Sequence, residues 1–445
     1  MPPFVKQIAR INHTGNKEAM LYPNYIENDY RFPSFFKVRM NFSRPRIDNI
    51  PGAILNSLDE ALAHGPINAG DTVAVGIGSR GIANLPLIVK TVCTRLIEIG
   101  AKPVIIPAMG SHGGATAAGQ HKILKELGVT KTACAAPIKS TMDTAMIGKV
   151  FDQVPVYFAS DALAMDHCIC INRIKPHSKF KAVVESGIYK MLCVGMGKHA
   201  GALAYHKWSL KYGFYPLLEA MGSEIIEKTN FRFGIGVVEN AFDETMAIKA
   251  LPAHGLLSRE SRLLETAKQN MPILPFKQLD VLVIQYIGKE ISGAGMDPNI
   301  TGRAFDLKED DFSKILKTTR MAVLNLSSKG GGNGIGLGNA DIITEKVFQN
   351  LNYESTIMNA LTSISLRKAF IPVRLPDDRM AIQACFTTIG PINADDIRAV
   401  ILKDTLHTVE FLASKALREE LETIEHAQIL EKTPLVFDEK DNIVF

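Results

Sequence analysis

Three side chains that suit acid–base chemistry follow apolar runs that we predict to be strands. Arg80 follows DTVAVGIGS, His112 follows KPVIIPAMG, and His177 follows HCICINRI. Ligands of open α/β sheets bind beyond the carboxyl ends of the strands, so we expect the three side chains at one sheet edge. Arginine offers a planar fork for a carboxylate or phosphate, and two histidines can act as general base and general acid near neutral pH. If the histidines flank one carbon, one can remove a proton and the other return it, which a racemase or epimerase requires.

The segment around His112 has features of an anion-binding loop. Gly113 and Gly114 allow backbone N–H groups to approach a ligand closely, and the next segment is predicted to be a helix, whose N-terminus favours phosphate. We therefore predict that Ser111, Gly113 and Gly114, together with Arg80, contact a cofactor.

A lysine and two histidines follow in SGIYKMLCVGMGKHAGALAYHKW. Lys190 has apolar neighbours, which suits either a desolvated nucleophile or covalent anchor, or a packed stem whose ammonium group reaches solvent. His199 and His206 are seven residues apart and would share one face of a single helix, although Gly201 counts against a helix through both. Taken alone, His206 beside Trp208 is more typical of an interior histidine than of a metal ligand.

The composition is that of a globular protein rather than a nucleic-acid-binding or membrane protein. The 445 residues are enough for two or three domains, and the net charge of +4 comes without clustered Lys and Arg. The most basic short run, residues 37–46, is expected to be a solvated loop. No apolar run is long enough to span a membrane, and no secretory signal is evident. Six cysteines without a C-x-x-C pair favour reduced thiols in a cytoplasmic protein.

Strand-like and helix-like segments alternate from about residue 70, which predicts an α/β fold. We expect two domains with mostly parallel sheets flanked by helices. Two prolines after residue 270 suggest a linker, so the predicted domains are residues 1–275 and 276–445. Residues 339–351 are predicted to be helical, and residues 391–422 to form a long terminal helix, kinked or in two parts.

Taken together, these motifs resemble those of the lactate racemase family. The resemblance rests on GSR at 78–80, GSH at 110–112, KPH at 175–177, and Lys190 followed by His206. The order of motifs matches from about residue 70 to 210, and the two-domain layout covers nearly the whole chain.

The resemblance implies a nickel-pincer nucleotide, which is a pyridinium mononucleotide with two thio-acid groups that hold nickel through sulfur, carbon and sulfur. Lys190 would anchor it through a thioamide, and His206 would supply the remaining nickel ligand, which suits Ni(II). His112 and His177 would be the catalytic pair, and Arg80 would orient the substrate.

The implied reaction is that of an isomerase, which inverts carbon 2 of a 2-hydroxy acid by proton-coupled hydride transfer. One histidine removes the hydroxyl proton while the hydride of carbon 2 moves to the cofactor, and the planar keto acid receives hydride on its other face. The active site is expected in the cleft between the domains, with residues 276–445 closing over the substrate. The implied partners are the 2-hydroxy acid and the enzymes of cofactor biosynthesis.

The chain also departs from the pattern of lactate racemase itself. Ile77 replaces the aspartate of the Asp-x-Thr-Arg context, and no residue clearly matches the substrate-binding glutamine and lysine of the second domain. Lys289, Asp297 and Arg303 are the candidates there. The second domain has no tryptophan for the family's aromatic wall. We therefore expect a larger or more polar substrate than lactate, such as an aldonate or a hydroxy-diacid.

Two other enzyme classes are compatible with the same residues. The first is a hydrolase or lyase that uses zinc held by His112, His177 and His206, but H-E-x-x-H and an obvious carboxylate base are missing. The second is a nicotinamide-dependent oxidoreductase that uses the Gly-rich segment at residues 330–340. Asn339 leaves G-x-G-x-x-G incomplete, so a tight structural loop is the favoured interpretation.

A non-catalytic cofactor carrier is the remaining alternative. It would need Lys190 and His206 but neither His112 nor His177. The presence of both pairs favours an enzyme.

Overall fold

The computed structural model describes residues 7–11, 17–21, 30–79, 81–304 and 312–444. The chain divides into two compact units. The middle unit is Ser43–Met271, and the terminal unit combines the described residues up to Phe42 with those from Pro272 onward. Within the described ranges, no helix is long and apolar enough to cross a membrane.

The strands in chain order are β1 (Gln7–Ile11), β2 (Lys17–Leu21), β3 (Phe35–Met40), β4 (Thr72–Ile77), β5 (Lys102–Pro107), β6 (Thr144–Val150), β7 (Val154–Ala159), β8 (His167–Arg173), β9 (Phe231–Glu239), β10 (Thr245–Pro252), β11 (Gln278–Ile287), β12 (Lys317–Leu326), β13 (Ile342–Thr344), β14 (Val373–Leu375), β15 (Ala399–Leu402), β16 (Glu410–Ser414), β17 (Ala427–Thr433), β18 (Val436–Phe437) and β19 (Ile443–Val444).

The helices are α1 (Ile50–His64), α2 (Leu85–Glu98), α3 (Ala117–Glu126), α4 (Lys131–Cys134), α5 (Ser160–Leu163), α6 (Ile188–Lys190), α7 (Lys198–Tyr212), α8 (Phe214–Lys228), α9 (Leu256–Gln269), α10 (Pro298–Thr301), α11 (Glu345–Gln349), α12 (Tyr353–Thr362), α13 (Asp378–Thr387) and α14 (Arg418–Glu422).

The middle unit contains a five-stranded sheet in the order β10-β9-β8-β4-β5. The four strands from β9 to β5 are parallel, and β10 is antiparallel to β9 at one edge. Strands β4, β5 and β8 are continuous apolar runs, and most of their residues are buried, as in parallel sheets covered on both faces. The predicted α/β fold with mostly parallel sheets and flanking helices is confirmed. The six cysteines are free and buried.

Strand β4 lies between β5 and β8, and this order determines where the loops begin. Ile77, the last residue of β4, is paired with Pro107 of β5 and with Ile171 of β8. The three carboxyl ends therefore lie side by side at one sheet edge, and the loops that carry His112 and His177 start on either side of β4. Arg80, predicted at the same edge, lies outside the described residues.

The terminal unit contains an eight-stranded sheet in the order β14-β13-β12-β11-β15-β16-β3-β17. The five strands from β14 to β15 are parallel, and the last three join in antiparallel fashion. Its core contains Phe35 of β3 together with residues of β11, β12 and α13.

Strand β3 differs from two sequence-based expectations. It pairs with β16 and β17, so it belongs to the terminal unit, whereas the predicted division placed residues 1–275 in one domain. It also occupies the start of the basic run that was expected to be a solvated loop. Phe36, Val38 and Met40 are buried, while Lys37 and Arg39 pair with Glu410. This alternation is the period of two of a strand.

The predicted long helix over residues 391–422 is wrong. The segment contains β15, β16 and the short α14, separated by turns. All four residues of β15 are buried, and its consecutive apolar side chains fit a strand covered on both faces better than a helix with one apolar face. The predicted helix over residues 339–351 likewise begins as β13 and becomes helical only at α11.

We predict that Phe35→Ala destabilises the terminal unit and not the middle unit. Phe35 is fully buried, and truncating such a side chain costs about 3–5 kcal/mol. Hydrogen exchange measured by mass spectrometry should show faster exchange in β16, with β8 unchanged. The partly exposed Arg39 provides the control, because Arg39→Ala should cost less than about 1 kcal/mol. Equal loss of protection in β8 would contradict the assignment of β3 to the terminal unit.

Candidate functional site

A buried carboxylate organises the loop that carries His177. Glu185, whose side chain is fully buried, accepts a hydrogen bond from the backbone N–H of His177 at 2.7 Å. Lys181 and Lys268 approach the two carboxylate oxygens at 3.3 and 3.2 Å. These contacts compensate the buried charge and fix the backbone at His177. Sequence reasoning missed Glu185, although an acidic residue within the apolar VVESG segment was a usable signal.

His177 is in direct contact with Lys190. The Nζ atom of Lys190 lies 2.6 Å from Nε2 of His177. The other ring nitrogen, Nδ1, accepts the backbone N–H of Lys179 at 3.0 Å, and the ring packs against Phe180 with 4.7 Å between ring centroids. The imidazole is therefore held on both nitrogens and on one face.

The segment after β5 places His112 next to the end of β4. Its Nδ1 is hydrogen-bonded to the hydroxyl of Ser79, the second residue after β4. The fully buried Gln120 donates from Nε2 to the carbonyl of Gly110 at 2.9 Å, which holds the backbone just before His112. His112 itself is exposed, so its ring remains accessible to a small molecule.

The glycines after His112 meet different constraints. Gly113 has φ of +66°, and a Cβ there would lie 2.6 Å from the backbone nitrogen of Gln120, so only glycine fits. A Cβ at Gly114 would meet nothing within 4 Å. The neighbouring Ser111 is exposed. At the start of α3, the side chain of Thr116 already caps the N-terminus. Cofactor contacts by Ser111, Gly113 and Gly114 remain a prediction.

A π-helical turn, Met191–Met196, joins Lys190 to α7 across the strand ends. A Cβ at Gly195 would lie 2.7 Å from the carbonyl oxygen of Ala108, so the backbones approach closely there. Lys198 follows the turn with φ of +52° and is fully buried, and it donates from Nζ to the carbonyl of Pro107 at 2.5 Å. Burial lowers the pKa of Lys198 to about 8. Sequence reasoning missed Lys198 as a link between this turn and β5.

The turn that carries Lys190 is held by a second buried carboxyl group. Glu260 of α9 accepts the backbone N–H of Tyr189 at 3.0 Å. Burial raises the pKa of Glu260 to about 8. Gly187 passes so close to this carboxyl group that a Cβ would collide with it. Glu260 thereby positions α6. Sequence reasoning missed this role, because Glu260 and Tyr189 are far apart along the chain.

His206 lies on α7, which runs through Gly201 without interruption. The helix spans Lys198–Tyr212, and the N–H of Gly201 donates to the carbonyl of Gly197 at 2.7 Å. A Cβ at Gly201 would lie 2.8 Å from the carbonyl oxygen of Cys193. The glycine therefore serves close packing, and the expectation that it counts against a helix through both histidines is wrong.

The imidazole of His206 is neutral, and one of its ring nitrogens has no hydrogen-bond partner among the described residues. This nitrogen is Nδ1, and it is buried. Burial lowers the pKa of His206 to about 3. A neutral imidazole with a buried ring nitrogen that lacks a partner is suited to bind a metal ion.

The second-domain candidates Lys289, Asp297 and Arg303 form hydrogen bonds to other described groups of the protein. Lys289 donates to a side-chain amide oxygen at 2.6 Å, and Asp297 caps α10. Arg303 is buried, pairs with Asp341 at 2.8 Å and donates to nearby backbone carbonyls. Its described contacts hold the backbone of the terminal unit together. Substrate binding by Lys289, Asp297 and Arg303 remains a prediction.

The two alternative sites lack the contacts they need. Among the described residues, no group of three or more His, Cys, Asp or Glu side chains is arranged to hold a metal ion, so His112, His177 and His206 do not form a zinc site by themselves. In the Gly-rich loop, Gly334 donates its N–H to Thr356 and Gly336 donates to the carbonyl of Lys368. These amides bind the protein itself, as expected of a tight structural loop.

Comparisons with known proteins give a distant likeness of the chain path. The lactate racemase apoprotein from Thermoanaerobacterium thermosaccharolyticum is 13% identical, with a TM-score of 0.47, over 90% of this chain and 99% of that one. A structural-genomics protein from Thermotoga maritima is also 13% identical, with a TM-score of 0.46, over 74% and 82% of the two chains. At this degree of likeness, neither indicates an activity for this chain. No protein-family model matches, and a search of the curated proteins found no match.

We predict that His206 makes folding sensitive to acid. The pKa of His206 falls from 6.5 in the unfolded chain to about 3 in the folded protein. As pH falls below about 6.5, the imidazole therefore takes up a proton in the unfolded chain but not in the folded protein, and stability is lost. Between about pH 6.5 and pH 4, wild type should lose about 3 kcal/mol more free energy of unfolding than His206→Gln. Urea titrations at both pH values measure the difference. Equal losses in the two proteins would contradict a buried neutral His206.

Proposed function

We propose that this protein is an isomerase, a racemase or epimerase that inverts carbon 2 of a 2-hydroxy acid with a nickel-pincer nucleotide. The observation that carries the proposal is the buried Nδ1 of His206, which has no hydrogen-bond partner among the described residues. The motif resemblance supports the same assignment, since Lys190 and His206 match its anchoring lysine and nickel-binding histidine.

The residues fit this cofactor better than they fit a metal ion held by the protein alone. A pincer nucleotide brings most of the nickel ligands with it, so the protein needs to supply one imidazole. Among the described residues, Nδ1 of His206 has no hydrogen-bond partner, and no group of three metal-ligating side chains is present. Lys190 would hold the nucleotide, and His206 would bind its nickel. When bound, the nucleotide would reversibly accept the hydride of carbon 2 of the substrate.

His112 and His177 would move the proton of the substrate hydroxyl. The Ser79 hydroxyl can accept from Nδ1–H of His112, which leaves the lone pair of Nε2 directed away from Ser79 for use as a base. His177 is oriented by Glu185 through its backbone and by Lys179 through Nδ1. The two imidazoles come from separate strand ends, so each can serve one configuration of the substrate.

A basic residue at the same edge would hold the substrate carboxylate. Arg80 is proposed for this role, because it follows β4 directly after Ser79 and arginine binds carboxylates in a bidentate manner. Lys289, Asp297 and Arg303 are proposed as further substrate contacts. The proposed substrate is larger or more polar than lactate, such as an aldonate or a hydroxy-diacid, because the second domain has no tryptophan for the family's aromatic wall.

We predict that His112→Asn and His177→Asn each reduce turnover about 100-fold or more, because each loses a proton-transfer group. The protein would be coproduced with the nickel-pincer biosynthetic enzymes and assayed on single enantiomers of 2-hydroxy acids. Chiral chromatography measures the appearance of the other enantiomer, and comparing both directions shows which histidine serves which configuration.

His121→Asn provides the matched control. His121 lies on the exposed face of α3, outside the proposed site, and its replacement should leave turnover unchanged. Unchanged turnover in both His112→Asn and His177→Asn would rule out the two-base mechanism. A loss in the control equal to that in the site variants would indicate a structural effect instead.

A further inference from the structure

We infer that His177 holds Lys190 as a neutral amine, so that Lys190 is a nucleophile ready for acylation before any cofactor is bound. The inference rests on the hydrogen bonds of one imidazole. It depends on the proposed function only for the identity of the acyl group that Lys190 takes in the cell.

The tautomer of His177 follows from its backbone contact. Nδ1 accepts the N–H of Lys179 at 3.0 Å, so Nδ1 carries a lone pair and no hydrogen. A neutral imidazole has one N–H, and it must then be on Nε2. Nε2 is the atom that lies 2.6 Å from Nζ of Lys190. His177 is therefore the donor in this hydrogen bond, and the lysine nitrogen must accept.

An ammonium group cannot accept a hydrogen bond, because it has three donors and no lone pair. Lys190 therefore contacts His177 as an amine. Lys190 is also partly buried, and removal from water favours the uncharged form of a lysine. Glu185, which accepts the backbone N–H of His177, is itself paired with Lys181 and Lys268.

The chemistry available to this amine is acyl transfer. The Nζ lone pair of Lys190 attacks the carbon of an acyl or thioacyl group that carries a leaving group, and a carbon–nitrogen bond forms. The bond to the leaving group breaks, the leaving group takes the electron pair, and the nitrogen loses one proton to it or to water.

Acylation would also change the state of His177. The nitrogen of an amide delocalises its lone pair and no longer accepts a hydrogen bond from Nε2–H. His177 would lose its partner on that side and become available to the substrate. His177 would thus first keep Lys190 in its reactive amine form and later take part in the reaction of the substrate.

The test is competitive labelling of the protein produced without the cofactor pathway. A limiting amount of p-nitrophenyl acetate is added at neutral pH, and acetylation of each lysine is followed by peptide mass spectrometry. Lys190 should react at least about 10-fold faster than the exposed Lys122, because an ordinary lysine with a pKa near 10.4 is almost fully protonated at this pH. His177→Leu should lower the Lys190 rate about 10-fold or more, and His199→Leu, which replaces an exposed histidine, should not change it.

A second measurement needs no variant of His177. The ¹⁵N signal of the Lys190 side chain, assigned with Lys190→Arg, should be that of an amine at neutral pH. An ammonium signal, or a Lys190 labelling rate no higher than that of Lys122, would overturn the inference. Neither the labelling rate nor the ¹⁵N signal requires nickel or turnover, so both can be measured even if the protein is not a racemase. Conversely, a charged and unreactive Lys190 would not change the result of the racemase assay.

Discussion

The parallel register of β4 with β5 and β8 is the constraint on which the candidate site depends. The pairing of Ile77 with Pro107 and Ile171 aligns three carboxyl ends, and each end feeds a loop with a polar side chain. Ser79 reaches His112 only because β4 and β5 end at the same level. The π-helical turn after Lys190 then crosses these ends, with Lys198 tied to the last residue of β5. The position of α7, and with it His206, follows from that crossing.

Two buried carboxyl groups stabilise this arrangement in different ways. Glu185 has lysines on both oxygens, so its charge is compensated and its role is to fix the loop before Lys190. Glu260 binds backbone N–H at α6, and its burial raises its pKa to about 8. Burying carboxyl groups is unfavourable unless they are paired or hydrogen-bonded. Their hydrogen bonds fix the backbone at His177 and at Tyr189, directly before Lys190.

The sequence was sufficient to predict the α/β class and the strand ends, because continuous apolar runs and short loops have strong local signatures. His112 could be placed from the chain order, since parallel strands bring their ends together. Glu260, Lys198 and β3 could not be predicted, because their partners are distant in sequence and only the tertiary structure brings them together. The helix predicted over residues 391–422 was wrong because short apolar runs, such as those of β15 and β16, suit a buried strand as well as a helix.

Intact mass together with metal analysis tests the central claim most directly, which is that Lys190 and His206 hold a nickel-pincer nucleotide. The protein would be coproduced with the biosynthetic enzymes of the nucleotide, alongside Lys190→Ala and His206→Ala. The account predicts a covalent mass increment and bound nickel in wild type. The increment should be absent from Lys190→Ala, and bound nickel should be reduced in His206→Ala. The control is a known racemase that the same cells load with the nucleotide. If wild type from these cells carried no covalent adduct and no nickel, the account would be contradicted.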